Sequence, residues 1–193
     1  MKKLILIKAL LLGMVIAVAA QTTWNADKSH SVIGFTIAHM VVSEVDGRFN
    51  DFDASLTASK DDLTDAQISF SARATSVDTG IERRDNHLRS GDFFDVENTP
   101  EISFTGTSFK KLSDGKYELT GDLTMHGVTK SVKLDVKYNG TIDTGRGIKA
   151  GFKVSGTLNR KDFGLVYGNA LEAGGLVIGE EVILDIKLEM NKA

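Results

Sequence analysis

The chain carries four histidines, His30, His39, His87 and His126, and no cysteine. Histidine is a metal ligand and a proton carrier near neutral pH, so its spacing is weighed first. None of the four stands in a His-x-His or His-x-x-x-His pair, the spacings that set two imidazoles on one face of a strand or helix. No metal site is expected. His39 follows Ile33, Phe35 and Ile37 at intervals of two, which points it into an apolar interior where its ring needs a partner from protein or ligand. Charge is densest in Glu82-Arg83-Arg84-Asp85-Asn86-His87-Leu88-Arg89, just before Phe93-Phe94. One reading is a solvated helix with internal pairs such as Asp85 with Arg89. The other is a lid or rim whose Arg and His groups hold the polar head of an amphiphile. The sequence has no nucleophile elbow, phosphate loop or dinucleotide fingerprint, and no arrangement of Asp and Glu marks a general acid or base. A binding protein is expected rather than an enzyme.

The elements that must position these groups are strands. One proline, Pro100, and many glycines punctuate segments that alternate with a period of two. Eight strands are expected, over 31–40, 45–57, 66–77, 101–108, 116–125, 130–139, 149–158 and 180–190. In the second, Phe49 and Phe52 fall out of phase by one residue, as a β-bulge would require. His126-Gly127 reads as the hairpin turn between the fifth and sixth strands. The one mature helix is expected over about 80–90. Its Thr79 lies three residues before Glu82, the spacing of a capping box, and Ser90-Gly91 ends it. A long Gly-rich connection, 159–179, precedes the last strand.

Eight hairpin-linked strands with one apolar face each are satisfied by closure into an antiparallel barrel, which hides both the edges and the apolar side. A two-sheet sandwich fits the alternation but gives the helix and the long connections no role. Off-phase positions are charged in the best-patterned strands: Glu118 and Asp122, then Lys133, Asp135 and Lys137, then Asp185, Lys187 and Glu189. An outer-membrane barrel would turn its apolar face to lipid. Its lumen would then be polar, and the ending Asn191-Lys192-Ala193 lacks an aromatic residue. A water-facing barrel with an apolar inside is the expectation.

Ahead of the barrel, Met1-Lys2-Lys3 and an apolar run ending Ala17-Val18-Ala19-Ala20 read as a signal peptide, 1–20, cleaved after Ala20 or Ala19 to leave a domain over 21–193. The run is short for a membrane span, which needs about 20 apolar residues. Without Lys2, Lys3 and Lys8 the mature chain has 20 basic residues against 26 acidic ones, a net charge of −6. With no basic cluster, nucleic acid is not an expected partner. An exported chain without cysteine must be held by burial alone. Ten phenylalanines supply bulk for that burial. Small residues on the strands, Ala66, Ala72 and Ala74 with Gly34, Gly121 and Gly156, are expected to leave room inside for one small ligand.

Several motifs now fall in order: Trp24-x-x-Asp27-x-x-His30-Ser31-x-x-x-Phe35, His39-Met40 and Gly47-x-Phe49. Arg84-Asp85-x-His87-Leu88-Arg89-Ser90-x-Asp92-Phe93-Phe94-Asp95 and Pro100-x-Ile102-x-Phe104 follow. Gly121-x-Leu123-Thr124-Met125-His126-Gly127-Val128-Thr129-Lys130 and Asn159-Arg160-x-Asp162-Phe163-Gly164-Leu165 complete the set. With these, the chain resembles the YceI-like family of lipocalin-like, polyisoprenoid-binding bacterial proteins. The resemblance implies a periplasmic or secreted barrel around an apolar tunnel. Its ligand would be a quinone or precursor, or another fatty amphiphile, with no cofactor beyond that lipid. The tunnel candidates are Ile33, Phe35, Ile37, Phe49, Phe70 and Phe93, with Phe94, Phe104, Met125, Phe152 and Phe163. Candidates for the head group are His39, Arg84, His87, Asn159 and Arg160. A homodimer would be in keeping with the family. A second reading stays open: a stress-response or interaction protein with a solid barrel core, acting through its helix and loops.

Overall fold

The computed structural model describes residues 21–168, 170 and 174–193, so the expected leader, 1–20, lies outside the described residues, as does part of the connection 159–179. Eleven β-segments and one helix follow in chain order: β1 (Thr22–Ala26), β2 (Val32–His39), β3 (Ser43–Phe49), β4 (Phe52–Ala58), β5 (Gln67–Arg73), β6 (Val77–Asp78), α1 (Glu82–Arg89), β7 (Glu101–Ser113), β8 (Lys116–Met125), β9 (Val128–Asp143), β10 (Ile148–Asn159) and β11 (Ile178–Lys192). All pairings are antiparallel, and β1 meets β11 to close the ring. β1 and β2 are two halves of one bent strand. They pair in turn with β4 and β3, the two halves of the next, while β5 and β6 are halves of a third. Counted this way, the molecule is an eight-stranded closed antiparallel barrel with one helix.

Each alternating face goes where the pattern sends it. Leu119, Leu123, Leu134, Val136, Phe152 and Val154 are buried inside. The outer face carries ion pairs, among them Lys133 with Glu118 at 3.6 Å and Asp185 with both Lys153 and Lys187 at 3.1 Å. The slip between Phe49 and Phe52 is present: Asn50 and Asp51 leave the ladder, so that β3 and β4 both send a phenylalanine inwards. At His126-Gly127 both φ angles are positive (51° and 72°), the geometry of a tight hairpin turn that matches strand twist.

Four details differ from expectation. β1 was not among the expected strands, because five residues around one buried tryptophan, Trp24, give too short a pattern. The expected strand 66–77 is interrupted by a 3-10 turn at Ala74–Ser76, where the chain passes from the β4 pairing to the β3 pairing. The capping box does not form. Ile81 is the N-cap without a side-chain bond, and the Asp85 carboxylate instead accepts from the Thr79 N–H at 2.9 Å and from its hydroxyl at 2.5 Å. Nor does Arg89 pair with Asp85; it donates to the Thr75 and Val77 carbonyls at 2.8 and 2.7 Å, tying the helix to the turn below it.

Beyond Lys187, β11 changes partner from β2 to β1, and Glu189 falls between the two ladders. Its N–H donates to the Ser31 hydroxyl at 3.0 Å, while its carbonyl accepts from that hydroxyl at 3.2 Å and from the Asp27 N–H at 2.8 Å. Backbone groups need partners, and the Ser31 hydroxyl and the Asp27 N–H supply them where the sheet does not. Lys149 Nζ then bridges Asp27 Oδ2 at 2.9 Å and Glu189 Oε1 at 2.5 Å, with His30 Nδ1 3.1 Å from Asp27. Asp27, His30 and Glu189 are close enough to ligate an ion, but the Lys149 ammonium already occupies the cation's place.

Hydrogen bonds from Lys149 and His30 hold the Asp27 carboxyl well below its ordinary value of 3.8. Glu189 and Asp27 in turn hold Lys149 above its ordinary 10.5. A depressed carboxyl stabilises the fold fully above its unfolded value and loses that contribution as pH falls; a raised ammonium does so below its unfolded value and loses it as pH rises. Replacing Lys149 by Met is therefore expected to lower the melting temperature at pH 7 and to flatten its fall below about pH 4. Thermal melts across pH test this, and a variant with unchanged acid dependence contradicts it.

Candidate functional site

A cavity of about 630 Å³ lies at the end of the barrel covered by α1, within the usual range for small-molecule sites. β2 and β3 contribute Phe35, Ile37, His39, Val45 and Phe49; β11 contributes Ile178, Val182 and Leu184. From α1 and its flanks come Thr79, Ile81, Arg83, Arg84, His87, Leu88, Phe93 and Phe94. Ile81 and Arg83 are exposed as well as lining the cavity, so it reaches the surface beside the start of α1. A second cavity of about 110 Å³ sits within the barrel, walled by Ile33, Phe70, Phe104, Phe152 and other apolar side chains. Leu184 forms part of both walls. The apolar interior expected from the resemblance thus holds two neighbouring cavities in this structure.

The sixteen residues singled out above sort by place. Phe35, Ile37, Phe49, Phe93, Phe94 and Met125 line the larger cavity, together with His39, Arg84, His87 and Arg160. Ile33, Phe70, Phe104 and Phe152 line the smaller. Phe163 and Asn159 line neither. Phe163 is packed in the core, where its carbonyl accepts from the His126 Nδ1–H at 3.1 Å. The Asn159 side-chain Oδ1 accepts from the Lys161 N–H at 2.9 Å and caps the 3-10 turn Arg160–Phe163. Thr79 and Ile81, ahead of α1, also line the larger cavity, and nothing in strand periodicity marks a loop residue as part of a wall; Arg83 lines it from α1, within the charged run whose Arg groups could form a rim.

The polar groups are held by different means. Arg160 is 4% exposed, and its guanidinium donates to three backbone carbonyls: Gly179 at 2.8 Å, Ile178 at 3.4 Å and Leu165. Burial pushes it below its ordinary value. Arg84 donates through Nε and Nη2 to the hydroxyl and carbonyl of Thr79, each at 2.7 Å. Thr79 is itself fixed by the buried Asp85, so the carboxylate positions Arg84 through the threonine hydroxyl. His87 stands 2.9 Å from Asp92 and edge-on to Phe93 and Tyr167, with ring centres 5.0 and 4.8 Å away. Among the described residues, no hydrogen bond reaches the His39 ring. The site presents donors around an apolar chamber, an arrangement that binds and orients a molecule with one polar end.

The small residues expected to leave room, Gly34, Gly121, Gly156, Ala66, Ala72 and Ala74, do not provide it. A Cβ at Gly121 would stand 2.2 Å from Phe104 Cζ, and one at Gly156 would stand 2.6 Å from Leu134 Cδ2. Neighbouring side chains have filled those spaces, as close packing demands. Gly34 lies out of phase with the inward residues, its Cβ position 2.8 Å from the Asp185 carbonyl oxygen. Ala66, Ala72 and Ala74 line neither cavity. One glycine does shape the wall: the Phe35 ring lies over Gly47, its cross-strand partner, 2.3 Å from where a Cβ would be. Gly47→Ala must push that ring off β3 and into the larger cavity. We expect weaker uptake of lipid-like probes by about tenfold, the equivalent of about 1.4 kcal/mol, with a smaller loss of stability; titration and melting of the same variant check both.

A closed eight-stranded barrel with an apolar chamber under a helix defines a lipocalin-like protein. The YceI-like domain model matches residues 24–190, and the chain belongs to that family. It is 38% identical to a UPF0312 protein of Staphylococcus epidermidis over 173 residues, covering 88% of this chain and 98% of the relative. The crystal structure of a Campylobacter jejuni YceI protein is similar with a TM-score of 0.68 and 28% identity, over 86% of this chain and 96% of the other. A polyisoprenoid binding domain from Saccharophagus degradans shares the fold at TM-score 0.60 and 19% identity, over 88% and 98% of the two chains. Among the described residues no helix is long and apolar enough to cross a membrane.

Proposed function

We propose that this chain is an exported binding protein that encloses the hydrocarbon tail of a polyisoprenoid, or of a similar long-chain amphiphile, for carriage or storage. The observation that carries this reading is the 630 Å³ chamber, apolar over most of its wall and polar beside α1. Burying a tail there is favourable by about 0.8 kcal/mol per CH₂ before the costs of ordering. A solid barrel acting only through its helix and loops gives no reason for such a chamber. The Saccharophagus degradans domain, described as polyisoprenoid binding, supports the reading only as a barrel of the same fold. Signal-like residues 1–20 support export to the periplasm. Binding is preferred to catalysis because the wall is mostly apolar and cationic, and its Thr79 hydroxyl is taken up between Asp85 and Arg84 as a structural bridge.

Native mass spectrometry of protein purified without detergent tests the proposal. A retained hydrophobic mass, or stoichiometric uptake of an added long-chain quinone or polyprenyl phosphate, is the expected result. Empty spectra from repeated preparations, with neither probe taken up, would overturn it.

A further inference from the structure

We infer that the head group taken by this chamber is anionic, a phosphate or carboxylate ending a single long chain, in preference to a neutral quinone, alcohol or amide. The inference rests on the amphiphile-binding reading above and adds to it the sign of the head's charge. Among the described residues, the chamber wall carries three arginines and two histidines, and neither aspartate nor glutamate. The acids nearby are turned to other tasks: Asp85 to Thr79, Asp92 to the outer nitrogen of His87, and Glu180 to Lys161.

Hydrogen bonding and charge compensation are separate requirements, and among the described residues the chamber wall supplies only the first. Arg160 finds carbonyl acceptors on the buried side, but carbonyls carry no net charge to set against a guanidinium that is 4% exposed, and the Glu180 carboxylate, which acts on it through space, is bonded to Lys161. A buried cation whose nearest described carboxylate is shared with a lysine is costly, so an anion entering the chamber gains what that carboxylate does not supply. Arg84 is held by Thr79 through Nε and Nη2, and among the described residues no protein group accepts from its Nη1. Arg83 is exposed and, among the described residues, makes neither a side-chain hydrogen bond nor an ion pair. The guanidinium fork matches phosphate and carboxylate oxygens, and charge-assisted bonds of this kind are roughly twice as strong as neutral ones. Phe35, Ile37, Phe49 and Leu184 face the same space and suit the chain.

Matched probes isolate the head. Delipidated protein is titrated calorimetrically, below micelle-forming concentrations, with geranylgeranyl monophosphate against geranylgeraniol and with palmitate against palmitamide. At least one anion is expected to bind about tenfold or more tightly than its neutral twin, and the favoured pair tells phosphate from carboxylate. The preference should fall towards unity in Arg83→Gln/Arg84→Gln. Because Arg84 also supports the loop at Thr79, Arg83→Gln alone serves as the second variant, with a partial loss of preference expected. Equal binding within both pairs overturns the inference while leaving amphiphile binding intact. A preference that survives both variants still supports an anionic head and assigns its recognition to Arg160. Failure of all four probes to bind counts against the amphiphile reading itself.

Discussion

Phe35→Glu is expected to empty the barrel, leaving no retained hydrophobic mass in native spectra, whereas Lys133→Glu is expected to retain the same ligand as the parent. Phe35 lies on the inner face of β2, its ring over Gly47 and its centre 5.8 Å from that of Phe49, in the wall of the larger chamber. A carboxylate there loses the ring's apolar contact, which for this half-buried ring is worth part of the roughly 1.5–3 kcal/mol of a fully buried phenylalanine. It also brings a charge that must be desolvated or take up one of the chamber's arginines. Either outcome excludes the tail, and the second competes directly with an anionic head. Lys133 is on the outside of β9, 3.6 Å from Glu118 and largely exposed, where ion pairs contribute about 0–1 kcal/mol. Circular dichroism of the Phe35 variant separates an empty barrel from an unfolded one. A folded variant that keeps its ligand contradicts the assignment of this wall.

The largest effect on stability is expected from Phe104→Ala, a loss of about 3–5 kcal/mol, seen as a fall in melting temperature of about 10 °C or more. Phe104 is 6% exposed, borders the smaller cavity and fills the space above Gly121 on the neighbouring strand. Its removal would enlarge a chamber that the surrounding strands, hydrogen-bonded on both sides, cannot collapse to fill. Gly121→Ala tests the same contact from the other side. Its Cβ would meet the Phe104 ring at 2.2 Å and the Thr105 carbonyl oxygen at 2.5 Å, and overpacking of this kind costs about 1–3 kcal/mol. In the double variant the ring clash is absent and only the carbonyl contact remains. The two losses should therefore sum to more than the loss in the double variant, and strict additivity in a double-mutant cycle contradicts the contact.

What the sequence determined by itself is the inside and outside of the barrel. A period of two needs only the identity of neighbouring residues, so Leu119 and Leu123 against Glu118 and Asp122 assign the faces of β8 before any fold is known. The slip from Phe49 to Phe52, the helix over 82–89 and the His126-Gly127 turn were legible for the same reason, since each is set within a few residues of chain. Contacts between distant segments were not. β1 has too little pattern of its own and is fixed by Leu56 and Met190, far away in sequence. Asp85 and Arg89 have the spacing of an ion pair but find closer partners in Thr79 and in the Thr75 and Val77 carbonyls. Glycines suggested empty space, and packing filled it with Phe104 and Leu134. The chamber itself arises where α1, β2, β3 and β11 meet, and the gathering of Arg83, Arg84 and Arg160 around it belongs to that meeting. Local pattern orients a side chain relative to its own strand; only closure of the barrel decides which other side chains it will face.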